Sequence, residues 1–306
     1  MYDLIIIGGG PAGAAAGVYA SRKRIKTLLI ADTFGGQSTV SAEIQNWIGT
    51  IAISGEELAS SLKKHVEAYA GDILKMKTER VQKVEPHDGN FTVTTDSGSY
   101  KARAVLVATG SHRRKLEAVG ADTFEHKGVT YCASCDGPMF EGLHLAVVGG
   151  GNAAFETAAQ LLAYAKSVTL IHRSDNFIRA EPMTVEKVLA HPNMRAVKNV
   201  EILEVKGDKF ANAIVYRDKA TDKTTELPVG GIFVEIGQLP NTEFLKGVVE
   251  LDERDHIVID PRTQQTRTPG IWAAGDCTDI LYHQNNIAAG DAVRALEDIY
   301  KHLNAR

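Results

Sequence analysis

Cys132 and Cys135 stand two residues apart in the run Cys132-Ala133-Ser134-Cys135-Asp136-Gly137, a spacing that lets one turn of chain close a disulfide. If a helix starts there, both sulfurs lie near its N-terminus, where thiolate character is favoured. The same pair also fits half a zinc site or two unpaired buried thiols. No second cysteine or histidine pair follows at ligand spacing, so zinc is disfavoured and no metal is expected. With three cysteines in all, the chain has no secreted disulfide framework, and the odd one, Cys277, reads as a small buried hydrophobe. Asp136 follows the pair directly. A carboxyl whose pKa is raised by partial burial can trade protons with a thiol, whereas an acid before glycine is also an ordinary turn residue.

The elements that must position this pair repeat. Leu4-Ile5-Ile6-Ile7 reads as a strand, Gly8-Gly9-Gly10-Pro11-Ala12-Gly13 as a turn, and an Ala-rich helix runs through Tyr19. A second strand, Thr27-Leu28-Leu29-Ile30, ends at Asp32. That is the order of a dinucleotide-binding unit: Gly8 permits the turn, Gly10 lets backbone approach a pyrophosphate, Gly13 packs helix on strand, and Asp32 holds a ribose hydroxyl. The pattern returns as Leu145-Ala146-Val147-Val148, Gly149-Gly150-Gly151-Asn152-Ala153-Ala154, a helix through Ala163, and Ser167-Val168-Thr169-Leu170-Ile171. Gly149 follows Gly8, and Arg173 follows Asp32, by the same 141 residues. An acid has become an arginine at the ribose position, so the two sites should hold different nucleotides.

Short alternating strands follow each unit: Phe91-Thr92-Val93-Thr94 and Ala104-Val105-Leu106-Val107 after the first, Ala213-Ile214-Val215-Tyr216 and Ile232-Phe233-Val234 after the second. They close on Gly110 and Gly237. Duplication is the economical reading, against one doubly wound domain with a coincidental second glycine loop. With two dinucleotide units in the chain, redox exchange is the preferred chemistry for Cys132 and Cys135. The expected fold is α/β, two Rossmann-like three-layer dinucleotide-binding domains, the second inserted into the first.

At 306 residues, 44% hydrophobic and 24% charged, the chain can bury a large core and accommodate two domains. A net charge of −4 offers no basic field for nucleic acid. No apolar run approaches the roughly 18 residues of a membrane span, and Met1 leads straight into a strand without a signal sequence. The expectation is a cytoplasmic protein with neither nucleic-acid nor membrane partners.

Near the C-terminus, Thr268-Pro269-Gly270-Ile271-Trp272-Ala273-Ala274-Gly275-Asp276-Cys277 precedes Tyr282-His283-Gln284 and a helix from Ile287 to Tyr300. Together with the opening glycine loop, Gly35-Gly36-Gln37, Ala108-Thr109-Gly110 and the cysteine motif, these runs resemble the low-molecular-weight thioredoxin reductase family over essentially the whole chain. Cys135-Asp136-Gly137-Pro138, Tyr216-Arg217-Asp218 and Gln238-Leu239-Pro240-Asn241-Thr242 give a nearer likeness to the reductase core of the alkyl hydroperoxide reductase flavoprotein. The resemblance implies an FAD domain of residues 1–113 and 246–306, an NAD(P) domain of residues 114–245 carrying the cysteines, a homodimer, and rotation of one domain against the other. It implies that Cys135 faces the flavin, Cys132 attacks the partner disulfide and Asp136 moves the proton. It assigns flavin binding to the first glycine loop, from Gly8 through Gly10, Pro11 and Ala12 to Gly13, with Asp32, Gly36, Gln37 and Asn46. Thr109, Gly110, Gly275, Asp276, His283, Gln284 and Asn285 complete that set. The nicotinamide nucleotide falls to Gly149, Gly151, Asn152, Ala153, Arg173, Ser174 and Arg179.

Departures from the family pattern are concentrated at the electron entrance. The family has two arginines after histidine and another four positions on; here the segment reads His172-Arg173-Ser174, and the later arginine, Arg179, is displaced by one residue. Loss of one charge-assisted hydrogen bond, roughly 1.5 to 3 kcal/mol, weakens preference for NADPH by about an order of magnitude or more. NADPH is expected ahead of NADH, with ferredoxin as a further donor. Asn152 replaces an acid, His283 replaces an arginine beside the flavin, and Asn285 and Asn286 are more polar than the pattern. The expected acceptor is a separate thioredoxin-like, glutaredoxin-like or peroxiredoxin-linked protein, because the chain starts on its flavin strand. A dithiol oxidase returning electrons to oxygen and a flavin-binding sensor are the competing functions.

Overall fold

Leu4, Ile5, Ile6 and Ile7 are all at most 3% exposed, so β1 (Tyr2–Gly9) is covered on both faces and needs apolar residues at every position rather than alternation. In this computed structural model, which describes residues 1–41 and 43–304, the chain after β1 turns into α1 (Pro11–Arg22). Pro11 suits the helix start, where its missing N–H is no loss. β2 (Thr27–Phe34) returns parallel to β1, with Leu4 opposite Thr27 and Ile7 opposite Ile30. α2 (Gly55–Ala70) opens on a Ser54–Glu57 capping box, and β3 (Leu74–Thr78), β4 (Val81–His87), β5 (Asn90–Thr95) and β6 (Ser99–Val107) follow. The sheet order is β3-β2-β1-β6-β5-β4. β6 pairs antiparallel with β5 through its first residues and parallel with β1 along its length.

The chain leaves this unit in β7 (Ser111–Arg113) and enters a second one. There β8 (Val129–Thr130), α3 (Ala133–Asp136), β9 (His144–Gly149), α4 (Asn152–Leu161), β10 (Ser167–Ile171), α5 (Pro182–Leu189) and β11 (Met194–Val197) lead to a meander. The meander is β12 (Val200–Gly207), β13 (Ala211–Asp218) and β14 (Thr224–Pro228), antiparallel throughout. β15 (Gly231–Glu235) then inserts beside β9, giving a parallel sheet in the order β11-β10-β9-β15-β8. β16 (Gln238–Pro240) returns the chain to the first unit, where β17 (Ile271–Ala273) pairs with β6 and α6 (Asn285–Asn304) completes it.

Each unit has three layers. In the first, Leu4, Ile6, Leu29 and Trp272 face α1 and α6, while Ile5, Ile7, Leu28 and Ile30 face Val84, Phe91 and Val93 of the β4–β5 hairpin. In the second, Leu145, Val147 and Leu170 face Phe155 and Leu161 of α4, and Ala146, Val148 and Ile171 face Ile214 and Tyr216 of the meander. The period of two along each strand sorts alternate residues to opposite layers. No described helix is long and apolar enough to cross a membrane.

Two details differ from the sequence reading. Ala104–Val107 and Ile232–Val234 are not meander strands: both run beside the strand that carries the glycine loop, and their unbroken burial, at most 2% exposed, explains why they lack alternation. The inserted unit is residues 113–238 rather than 114–245. Residues 239–245 pack with the first unit, where the Asn241 N–H donates to the Gly110 carbonyl at 3.0 Å and Leu245 is fully buried with Val84 and Ile257. Of the first unit's C-terminal stretch, Ala305 and Arg306 lie outside the described residues.

The repeat makes one stability test internal to the chain. A Cβ on Gly13 would meet the Gly8 carbonyl oxygen at 1.9 Å, whereas the equivalent position of the second unit already carries Ala154. We expect Gly13→Ala to cost roughly 1–3 kcal/mol or more and Ala154→Gly about 1 kcal/mol, read as shifts in thermal melting. Equal, small shifts would contradict the packing role of Gly13.

Candidate active site

The first cradle forms where β1, β6 and β17 end together. Gly8 has φ +117°, and a Cβ there would sit 2.2 Å from the Ala108 carbonyl oxygen. Gly10 caps α1 without a side chain, and the first turn holds no acid, so the helix N-terminus is open to an anion. Gly36 and Gly275 both take positive φ, +62° and +77°, and a Cβ on Gly275 would lie 3.1 Å from the Ala288 Cβ, so the turns beside the loop favour glycine. Asp32 is exposed at the end of β2, its Oδ1 accepting from the Thr33 N–H at 2.8 Å.

Away from α1 the remaining polar residues of this unit converge. Gln37 Nε2 donates to the Ser111 carbonyl, and the Ser38 hydroxyl reaches Asn285 Oδ1 at 3.0 Å. Asn46 Nδ2 donates to Gln284 Oε1 at 3.2 Å, and Asn286 Nδ2 returns to the Asn46 carbonyl at 2.7 Å. The polar Asn285 and Asn286 therefore pin Ser38 and Asn46 to the start of α6. Thr109 exchanges hydrogen bonds with Asn241, its hydroxyl donating to the Asn241 carbonyl at 2.8 Å, which fixes the turn at Gly110. Asp276 is half-buried directly after Gly275.

The second cradle repeats the first with altered walls. A Cβ on Gly149 would meet the Glu235 carbonyl oxygen at 2.4 Å, the counterpart of Gly8 against Ala108. Gly151 caps α4 without a side chain, next to Asn152 and Ala153. Gly150 has a different reason to be glycine: a Cβ would lie 2.1 Å from His172 Nδ1. The His172 ring is 5.1 Å from Phe177, which meets Phe155 edge-on at 4.9 Å, and burial lowers the pKa of His172. Asn152 Oδ1 accepts from the Glu181 N–H at 2.7 Å, and Arg179 forms a bridge with Gly151. The segment from Arg173 to Arg179 is thereby folded against the loop, leaving Arg173, Ser174 and Arg179 exposed at its edge.

In the same unit Cys132 and Cys135 are disulfide-bonded, with Cα atoms 5.3 Å apart. Cys132 is the N-cap of α3 and its Sγ accepts from the Cys135 N–H at 3.2 Å. The Thr130 hydroxyl donates to the Asp136 carboxylate. Burial pushes the Asp136 carboxyl above its ordinary range, opposed by that hydroxyl and by the charge of His126. Tyr131 is pushed up to about 12 by burial and by Glu125. Glu235, on the strand beside the second glycine loop, is also raised by burial, against Arg113 at 3.7 Å and the Thr157 hydroxyl at 2.9 Å. Thr130, Tyr131 and Glu235 escaped the sequence reading; the Thr130-Tyr131 step into the cysteine motif was the only local signal. Cys277 is fully buried, and burial pushes its thiol up to about 11.

Two dinucleotide folds in one chain, with a disulfide and a raised carboxyl on the second, define a flavoprotein oxidoreductase that works with pyridine nucleotides and disulfides. Residues 2–294 match the pyridine nucleotide-disulphide oxidoreductase family, and the chain belongs to it. The thioredoxin reductase of Streptococcus pyogenes MGAS5005 superposes with a TM-score of 0.93 at 33% identity, covering 100% of this chain and 99% of that one. Among curated relatives, the NADH dehydrogenase of Bacillus subtilis is 38% identical over 303 residues. The alkyl hydroperoxide reductase F protein of Pseudomonas aeruginosa is 39% identical over 310 residues. Each match covers 99% of this chain but 58% of the relative, so the chain spans under two thirds of their length. Family membership implies FAD and a pyridine nucleotide, and the open helix N-termini and side-chain-free cradles fit their phosphates.

Asp136 links pH to stability. Its folded pKa is raised above the ordinary 3.8, so the folded state holds the proton more tightly than the unfolded chain. The resulting penalty is absent below the unfolded pKa and sets in fully above the folded one. Asp136→Asn should therefore melt higher than the parent at neutral pH, with the advantage vanishing in acid. A pH-independent difference in melting temperature would contradict this.

Proposed function

We propose that this chain is an FAD-dependent disulfide reductase that takes electrons from a reduced pyridine nucleotide, NADPH ahead of NADH, and passes them through Cys132 and Cys135 to a protein disulfide. The carrying observation is the Cys132–Cys135 disulfide with the raised Asp136 carboxyl beside it, in a chain that has two glycine cradles. In this reading residues 1–112 and 239–306 form the FAD domain and residues 113–238 the nicotinamide domain. FAD, when bound, supplies a carrier that accepts a hydride and delivers an electron pair to the disulfide.

The remaining steps belong to the chain. Two electrons entering at Cys135 would break the S–S bond and leave two thiolates; Asp136 lends its proton to the Cys135 sulfur and takes it back before that sulfur attacks, so Cys132 stays a thiolate. Cys132 as thiolate then attacks the partner's disulfide, forming a mixed disulfide and expelling a partner thiolate. Cys135 attacks the Cys132 sulfur, restoring the intramolecular bond and releasing the reduced partner. The partner class is a thioredoxin-like, glutaredoxin-like or peroxiredoxin-linked protein, the first and last supported by neighbours named thioredoxin reductase and alkyl hydroperoxide reductase F, and the working form is a homodimer.

The exposed Arg173 and Arg179, with Ser174 between them, support modest discrimination for a 2′-phosphate. The relative named NADH dehydrogenase keeps NADH in view as a donor.

Anaerobic titration of the FAD-loaded protein with NADPH and NADH, followed by flavin bleaching, tests the entrance. At least one should bleach it, and if neither does the nicotinamide assignment is wrong. Cys132→Ser should keep the bleaching and abolish reduction of a protein disulfide. Arg173→Ala should raise KM for NADPH about tenfold with little change for NADH; equal effects on both would remove Arg173 from phosphate recognition.

A further inference from the structure

Three consecutive residues of the second glycine loop are each tied to the segment that follows β10. The His172 ring occupies the space a side chain on Gly150 would need, Gly151 forms a bridge with Arg179, and Asn152 Oδ1 accepts from the Glu181 N–H at 2.7 Å. Residues 172–181 are therefore laid along the turn that opens α4, and they carry Arg173, Ser174 and Arg179. Of the three ties, only the one at His172 runs through a group that changes charge near neutrality. Its Nε2 donates to the Asn176 carbonyl at 3.2 Å, and the ring packs 5.1 Å from Phe177, which meets Phe155 of α4 edge-on.

The surroundings of that ring pull in two directions. Burial lowers its pKa, hydrogen bonds to the backbone of Asn176 and Gly149 act the other way, and the charges of Arg173 and Lys198 reinforce burial. A neutral imidazole donates from one nitrogen and the imidazolium from both, so only the charged ring can donate to both backbone partners. Lys198 Nζ lies 5.8 Å from the centre of the Phe177 ring, and Lys219 Nζ donates to the Arg173 carbonyl at 2.8 Å. Asp175 and Glu181 are exposed on the segment itself. On β15, beside Gly149, Glu235 is held by the Thr157 hydroxyl at 2.9 Å and by Arg113 at 3.7 Å.

Resting on the reading of the second cradle as the nicotinamide-nucleotide site, we propose that His172 is a positioning residue that clamps the arginine segment to the glycine loop, and that its ring takes up a proton when a dinucleotide binds. Without ligand, the charges the ring feels are both positive. A pyrophosphate at the N-terminus of α4 adds negative charge beside them and offsets Arg173 and Lys198. The ring then holds a proton on each nitrogen and donates to both backbone partners. That proton comes from solvent, and no bond of the nucleotide is made or broken. Because binding and protonation are linked, affinity is highest below the ring's free pKa. It falls, by up to about tenfold per pH unit, as pH rises from the free pKa to the higher pKa of the complex. A merely structural clamp would change affinity equally at every pH.

The test uses the full-length, oxidised, FAD-loaded protein with NAD+ as the probe, because a 2′-phosphate titrates near pH 6 itself, roughly, and would confuse the count. Calorimetric titrations from about pH 5.5 to about pH 7.5, in buffers of different ionisation enthalpy, give the protons taken up per nucleotide bound. The parent should take up a large fraction of one proton, and its Kd should weaken about threefold or more across that range. H172Q should bind with a level Kd and no proton; H172N serves if H172Q melts below the working temperature, and the parent's own count needs neither. A parent that binds NAD+ without a proton overturns the proposal, as does uptake undiminished in H172Q. Uptake that disappears in E235Q and persists in H172Q belongs to Glu235 and overturns it too. A folded, FAD-loaded protein that binds neither NAD+ nor NADP+ overturns the nucleotide reading of the cradle, a result distinct from a level Kd.

Discussion

The geometry of both units hangs on one close approach: a glycine at the end of a strand packed against the last carbonyl of its neighbour. Gly8 meets the Ala108 carbonyl, and Gly149 meets the Glu235 carbonyl, at separations no side chain would permit. This contact forces the chain to turn out of the sheet at once, so the following helix points its N-terminus along the crevice at the strand ends. The flanking choices follow from it. Pro11 starts one helix, Gly13 or Ala154 lets each helix lie on its strand, and the neighbouring strands must be apolar throughout because both of their faces are covered.

The two cradles then diverge by what surrounds the shared backbone. The first unit gathers amides and hydroxyls: Ser38 is held by Asn285 and Asn46 by Gln284, while Gln37 donates to the Ser111 carbonyl. The second is walled by rings and charges: His172 lies on Gly150, Phe177 packs against the imidazole, and exposed arginines rim the edge. Burial does the electrostatic tuning. Asp136 and Glu235 are raised, and His172 is lowered, because each charged form would be taken out of water.

Much of this was legible in the chain because it rests on local rules. Glycine spacing, strand apolarity and the two-residue cysteine separation state their geometry without reference to distant residues, and the 141-residue register tied the two loops together. What escaped depends on tertiary contact. Nothing near Gln238 marks the return crossing, since Leu245 reveals its unit only by packing against Val84 and Ile257. Gly150 must be glycine because His172 lies on it, a partner 22 residues away that the loop itself does not announce. Asn152, read as a replaced acid, holds the arginine segment through the Glu181 N–H, a partner 29 residues away. Thr130 stood only two residues before the cysteine motif, yet it is the hydroxyl on Asp136.

The sealed third sulfur also shapes how the chain can age. Cys277 is fully buried with its thiol pushed up to about 11, so it offers neither access nor thiolate to a neighbouring disulfide. Among residues 1–306 the Cys132–Cys135 bond therefore has no accessible thiolate to exchange with. For the same reason, reduction of that bond would expose these two sulfurs to a mild alkylating reagent while leaving Cys277 unlabelled.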